Sequence, residues 1–119
     1  MRQAGILAAA GLIALHEMPK RLHEDHANAR LLADAVAAVT KAAEIDLDSV
    51  QTNIVIFKLR GKDQNCGGDA AAFTAALKQK DVLVSAIGPH SVRFVTHYDV
   101  DRAACQKAAA IVSEQLQSL

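Results

Sequence analysis

The chain predicts an α+β domain: a small antiparallel three-stranded sheet with helices on one face, preceded by a buried apolar helix. Three observations predict it. Residues rich in β-branched side chains cluster in three short runs, "QTNIVIFKL" (Gln51–Leu59), "VLVSAI" (Val82–Ile87) and "SVRFVTH" (Ser91–His97). Longer stretches around them carry apolar residues at three- and four-residue steps. Only the turn "GPHS" separates the second run from the third, a length that joins antiparallel neighbours.

The elements follow in order. Residues 4 to 17 are apolar nearly all round, the pattern of a helix covered on every side. Gly5, Ala9 and Gly11 would let another backbone approach closely. Little of a 119-residue chain is left to cover such a helix, so the cover is expected from outside it. Pro19 suits the first turn of a second helix, where its missing N–H is not needed. That helix is predicted to run to about Ala43. Its stripe is read as Leu22, His26, Ala29, Ala33, Val36 and Val39, with Lys20, Glu24, Asp25, Asn28 and Asp34 solvated. The strand Gln51–Leu59 comes next, then the glycine-rich loop "RGKDQNCGGD". Asp69 is placed to cap a helix from Ala70 to about Lys80. After the two hairpin strands, Asp99 or Asp101 caps a last helix to about Gln117, with Ala104, Ala108, Ile111 and Leu119 inside. Helices packed on one face of the sheet complete the simplest arrangement.

Composition excludes several classes. Formal net charge is zero and no basic run occurs, so the electrostatic footprint of a nucleic-acid binder is missing. The apolar run Ala4–Leu15 is too short to span a bilayer. Its basic start resembles the front of a secretory signal, but no small-x-small cleavage site follows. The two cysteines, Cys66 and Cys105, lack metal-ligand spacing, and a reduced cytoplasmic setting is expected. Cys66 reads as an exposed free thiol and Cys105 as an inert one near the core. "HEDH" (His23–His26) is not the H-E-x-x-H zinc spacing, and no metal site is expected. His26 reads as a core or interface histidine, and Asn53 as a structural amide at a strand start.

Arg93 stands out because apolar residues flank it within a strand. Side chains alternate along a strand, so Val92, Phe94 and Thr96 share one face, and Arg93, Val95 and His97 the other. Phe94 is the largest apolar group and should meet the helices. Arg93 and His97 then project from the uncovered face, about 13 Å apart. Two readings remain open on these grounds. Arg93 is either a solvated arginine on an open face, or a clamp whose planar fork matches a carboxylate or phosphate.

"MRQAGILAAAGLIAL", "RLHEDHANARLLA", "TNIV" and "VRFVTHYDV" resemble, in order and spacing, the C-terminal small-domain portion of the threonine aldolases. These are pyridoxal 5'-phosphate lyases of the aspartate-aminotransferase-like fold. They cleave L-threonine or L-allo-threonine to glycine and acetaldehyde, in threonine catabolism and glycine biosynthesis. The resemblance covers essentially the whole chain. It implies that residues 1–17 form a helix at the end of the large domain or at the domain junction, and that residues 18–119 form the small domain. It implies that Arg93 grips the α-carboxylate of a β-hydroxy amino acid and orients the scissile bond. It implies that Arg2 lies near the cofactor phosphate, and that the enzyme is a cytoplasmic homo-oligomer, a homotetramer in the family.

The departure is equally informative. None of Lys20, Lys41, Lys58, Lys62, Lys78, Lys80 or Lys107 stands in the context of the Schiff-base lysine. The chain is therefore expected to need a large domain it does not itself contain, and to be inactive alone. A stand-alone amino-acid-binding or dimerising α+β module is the rival reading.

Overall fold

The computed structural model describes residues 2–61 and 67–119; Lys62 and Cys66 lie outside them. Helix α1 spans Ala4–His16, α2 Leu22–Ala37, α3 Ala70–Lys78 and α4 Arg102–Gln117. A short 3₁₀ turn, Met18–Arg21, joins α1 to α2 and carries Pro19 at its start, where no N–H is required. Asp69 caps α3 by accepting from the Ala71 and Ala72 N–H groups, and Asp101 caps α4 by accepting from Ala104 N–H.

The sheet is antiparallel throughout, but it has four strands where three were expected. Strands β1 (Ala43–Glu44), β2 (Ile54–Leu59), β3 (Ser85–Ala86) and β4 (Ser91–Val95) lie in the order β1-β2-β4-β3. The additional strand comes from the end of the second predicted helix. Helix α2 stops at Ala37, and the Val39 carbonyl accepts from both Ala42 and Ala43 N–H, turning the chain. Ala43 and Glu44 then pair with Leu59 and Lys58. In "VAAVTKAAE" the alanines carry no period that distinguishes a helix end from an edge strand.

Strand β3 is shorter than the predicted Val82–Ile87. Helix α3 closes with Asp81 in the left-handed region (φ 61°) and with Val82 N–H reaching back 3.0 Å to the Leu77 carbonyl. That closure ties Val82 to the helix end and holds the next residues off the β4 ladder. Only Ser85 and Ala86 pair, with Arg93 and Val92.

One face of the sheet is covered. Val55, Phe57 and Leu59 of β2 and Val92 and Phe94 of β4 are buried beneath α2, α3 and α4. Phe57 sits at the centre, edge-on to Phe94 (centroids 5.0 Å apart) and to Phe73 of α3 (6.2 Å). Such pairs add about 0.5–1.5 kcal/mol each beyond area burial. The alternate residues Ile54, Ile56, Arg93 and Val95 are exposed on the other face.

The helix stripes are rotated from their predicted positions. On α2, Asp25 and Asn28 are buried with Ala29, Leu32, Ala33 and Val36, while His26 and Leu22 are exposed. On α4, Cys105, Val112 and Leu116 are buried, Ala108 and Ile111 are half-buried, and Ala104 and Leu119 are exposed. Polar partners explain the burial on α2. Arg21 donates to both carboxylate oxygens of Asp25, at 3.1 and 3.0 Å, and Asn28 Oδ1 accepts from Arg102 at 3.4 Å. A paired carboxylate can occupy the boundary of a core where an isolated one cannot.

Helix α1 is not covered by the rest of this chain. None of its residues is buried; Ile6, Leu7, Leu12, Ile13 and Leu15 are 56–75% exposed. It meets the rest of the chain mainly through the 3₁₀ turn, and the molecule is elongated, 57 × 27 × 26 Å. A helix this apolar on all sides has no stripe with which to pack on a single surface.

Two predictions follow from this packing. The Thr96 hydroxyl donates to the buried Asp25 backbone carbonyl at 2.6 Å. Asp25 lies within α2, so its carbonyl keeps its helical partner in Thr96→Val; losing the second bond is expected to cost about 0.5–1.5 kcal/mol in urea unfolding, with Thr96→Ser retaining most of the stability. Burial pushes the Cys105 thiol pKa up, outweighing the smaller lowering by Arg102. The unfolded thiol therefore ionises at lower pH than the folded one, so its contribution is complete below the ordinary thiol range. It is lost as pH rises through the folded pKa. Cys105→Ala is expected to flatten that part of the alkaline loss of stability, read as unfolding midpoint against pH.

Candidate carboxylate-binding site

Strand β4 is internal to the sheet, with β2 on one side and β3 on the other. Arg93 sits in its middle, opposite Ile56 of β2 and Ser85 of β3. Its backbone is therefore held from both sides, and its side chain projects from the open face as the alternation predicted. Ile56 (47% exposed) and Val95 (45%) flank it with aliphatic surface. Among the described residues no carboxylate lies within ion-pair distance of the guanidinium. The acids nearby in sequence are used elsewhere: Asp99 lies beside His97, and Asp101 caps α4.

The strand end that follows Arg93 is anchored by three hydrogen bonds. Thr96 N–H donates to the Asn53 carbonyl at 3.0 Å, and the Asn53 side-chain amide donates to the Thr96 carbonyl at 2.8 Å. The Thr96 hydroxyl bonds the Asp25 carbonyl across the helix–sheet interface. Asn53 thus closes the β2–β4 ladder with its side chain, the structural use expected of it. Beyond Thr96, Tyr98 lies under the Arg21 guanidinium, 4.9 Å from ring centroid to Cζ. Arg21 is held in its charged form, its pKa raised first by the hydrogen bond to Asp25 and also by the charges of Asp25 and Glu24, against a smaller opposing desolvation.

Sequence reasoning missed the Arg21–Asp25–Thr96 link. Arg21 and Asp25 are one helical turn apart, which was a usable signal. Nothing in the spacing connects either of them to Thr96, 71 residues further along.

The remaining candidates are dispersed. His97 is exposed past the end of β4, its Nδ1 accepting from Asp99 N–H at 3.3 Å and lying 3.5 Å from the Asp99 carboxylate. Among the described residues it makes no hydrogen bond with Arg93. Arg2 is exposed ahead of α1, at the end of that helix remote from the 3₁₀ turn. His23 and His26 are both exposed, and no group of three or more metal-binding side chains gathers among the described residues. No helix among the described residues is long and apolar enough to cross a membrane.

The arrangement suits carboxylate recognition. The guanidinium offers two parallel N–H donors from a rigid strand, and its aliphatic flanks strengthen a charge-assisted bond once a second surface excludes water. No opposing wall is built from the described residues.

Comparison with known proteins bears on this geometry. The model of the family described as Beta-eliminating lyase matches residues 1–60. The low specificity L-threonine aldolase of Escherichia coli K12 is 38% identical over 110 residues, covering 92% of this chain and 29% of that protein. The probable low-specificity L-threonine aldolase 2 of Arabidopsis thaliana is 33% identical over 100 residues, covering 84% of this chain and 27% of that protein. This chain thus spans less than a third of the length of these relatives, and the match lies in their C-terminal part. Among solved structures, "The structure of MppP soaked with the product 2-ketoarginine" superposes with a TM-score of 0.66, at 12% identity, over 88% of this chain and 30% of that one. At that identity the likeness is one of fold. On the family match across residues 1–60, the chain belongs to the Beta-eliminating lyase family.

Proposed function

We propose that this chain is the substrate-carboxylate module of a threonine aldolase, an enzyme that cleaves L-threonine or L-allo-threonine to glycine and acetaldehyde by a retro-aldol step. The observation that carries the reading is Arg93: a guanidinium on an internal strand, exposed, flanked by Ile56 and Val95, and without an acid partner among the described residues. In this reading Arg93 holds both oxygens of the α-carboxylate through its fork. Gripping two oxygens rather than one removes rotation of the substrate about its carboxylate axis, so the guanidinium orients as well as binds.

The reading extends to organisation. Residues 1–17 belong to the end of a large domain or to the junction with it, and 18–119 form the small domain. The exposed apolar surface of α1 supports this division. The whole enzyme is a cytoplasmic homo-oligomer using pyridoxal 5'-phosphate, the electron sink for carbon–carbon cleavage.

The described residues do not assemble a cradle for that group. Arg2 stands alone ahead of α1, and Lys20, Lys41, Lys58, Lys78, Lys80 and Lys107 are exposed at scattered places. No step through the cofactor is therefore assigned to this chain, and Arg2 is proposed to reach the phosphate only beside further polypeptide.

Three measurements test the reading. The 119 residues alone are expected to release no acetaldehyde from threonine above blank; release would overturn the division of labour. In a full-length threonine aldolase carrying this segment in place of its own, Arg93→Lys is expected to lower kcat/KM about 10- to 100-fold. That is the loss of a charge-assisted hydrogen bond. An unchanged kcat/KM would remove Arg93 from the site. Tight calorimetric binding of threonine by the isolated chain would favour a stand-alone amino-acid-binding module instead.

A further inference from the structure

A cavity of about 470 Å³ opens between the first turns of α2 and the segment that joins β4 to α4. Asn28 lines it, although only 4% of that residue is exposed. Arg102 fixes the orientation of the amide. Its Nη1 donates to Asn28 Oδ1 at 3.4 Å, which turns Nδ2 the other way. Asn28 Nδ2 donates to no group among the described residues, yet no side-chain nitrogen or oxygen there is both fully enclosed and unpaired. Nδ2 therefore keeps its access to solvent through the cavity that Asn28 lines. A side chain this deeply buried normally has its donors used, so the unused one marks a place for an acceptor.

The border carries both signs of charge with capacity to spare. Arg102 has only neutral partners: Nη1 donates to the Ala27 carbonyl at 3.0 Å and to Asn28, leaving Nη2 and Nε without an acceptor among the described residues. Asp101 uses one carboxylate oxygen to cap α4, and Glu24 uses one to meet Arg21 at 3.4 Å. Each keeps a second oxygen that accepts nothing among the described residues. Arg21 borders the cavity too, but both oxygens of Asp25 already bind it. His23 is the remaining titratable group there, and Tyr98 and Val100 add apolar surface. A simple anion would be drawn to Arg102 and repelled by two acids, and a simple cation would meet the reverse. A zwitterion satisfies both sides.

We infer that this cavity is a binding site for a small α-amino acid in its zwitterionic form, with a short apolar side chain. Its volume lies toward the low end of ligand pockets, which suits a molecule of that size. The carboxylate accepts from Asn28 Nδ2 and the unused Arg102 donors. The ammonium donates to the unused oxygens of Glu24 and Asp101, and the side chain lies on Tyr98 and Val100. The carrying observation is the unused donor of a buried amide set beside a guanidinium that has no acid partner. Arg93 does not line this cavity, so the site stands or falls independently of the aldolase reading.

The test titrates L-valine, which lacks a β-hydroxyl, into the 119-residue chain carrying Arg93→Ala, and follows amide chemical shifts. Removing the open-face guanidinium keeps this binding distinct from that of the proposed substrate site. Saturable shifts are expected at the Asn28 side-chain amide and at the N–H groups of Tyr98, Val100 and Arg102, with a Kd of about 1 mM for a ligand this small. Asn28→Asp keeps an acceptor for Arg102 but replaces the free donor with a carboxylate, and is expected to weaken valine at least about tenfold. Arg102→Gln, at an exposed position, is expected to do the same and serves where Asn28→Asp does not fold. Isovalerate and isobutylamine, each lacking one charged group of valine, are both expected to bind at least about tenfold more weakly. Isovalerate binding as tightly as valine would overturn the role given to Glu24 and Asp101. Isobutylamine doing so would overturn that of Asn28 and Arg102. Absence of saturation, or shifts confined to Ile56 and Val95, would overturn the site itself.

Discussion

The architecture depends on a single hydrogen bond between two distant segments, from the Thr96 hydroxyl to the Asp25 carbonyl at 2.6 Å. Helix α2 otherwise packs on α4 and β2 through apolar contact, which is non-directional and tolerates sliding. A short buried hydrogen bond favours one register of the helix along the strand end, because misplacing it leaves the buried Thr96 hydroxyl without its short partner. Arg21 closes over the same helical turn from outside, bonded to the Asp25 carboxylate and stacked on Tyr98. The chain thus ties the start of α2 to the end of β4 twice, once with a neutral bond inside and once with a charged cluster at the boundary.

That tie bears on Arg93 through the strand. Arg93 lies three residues before Thr96, and its backbone is paired to β2 and β3. Anchoring the strand end to the helical layer leaves the Arg93 side chain as the mobile part of a fixed mount. A long guanidinium stem loses rotamer freedom when it grips a ligand, and a fixed backbone limits the rest of that entropy cost.

The exposed apolar surface is unevenly distributed. The domain formed by α2, α3, α4 and the sheet closes its own core around Phe57, with no buried side-chain polar atom left unpaired among the described residues. Helix α1 contributes nothing to that core. The open sheet face combines Ile54, Ile56 and Val95 with Arg93, a mixture suited to contact with another surface rather than to bulk water alone. In this chain both α1 and the open sheet face therefore leave large apolar side chains in contact with water.

Much of this was legible in the chain itself. The positions of α1 and α3, the capping role of Asp69, a cap for α4 at either Asp99 or Asp101, the β3–β4 hairpin and the outward direction of Arg93 all follow from short-range rules: capping chemistry, turn length and strand alternation act within a few residues. What tertiary structure decided was everything set by contacts across long separations. Alanine-rich helices have weakly marked faces, so the rotation that buried Asp25 and Asn28 in place of His26 was decided by Arg21, Arg102 and Thr96. The edge strand at Ala43–Glu44 exists because Leu59 and Lys58 were there to pair with it. The gap beside Val95 exists because the end of α3 holds Val82 back. Local sequence encodes which conformations a segment can adopt; only the packed partners select among those of similar energy.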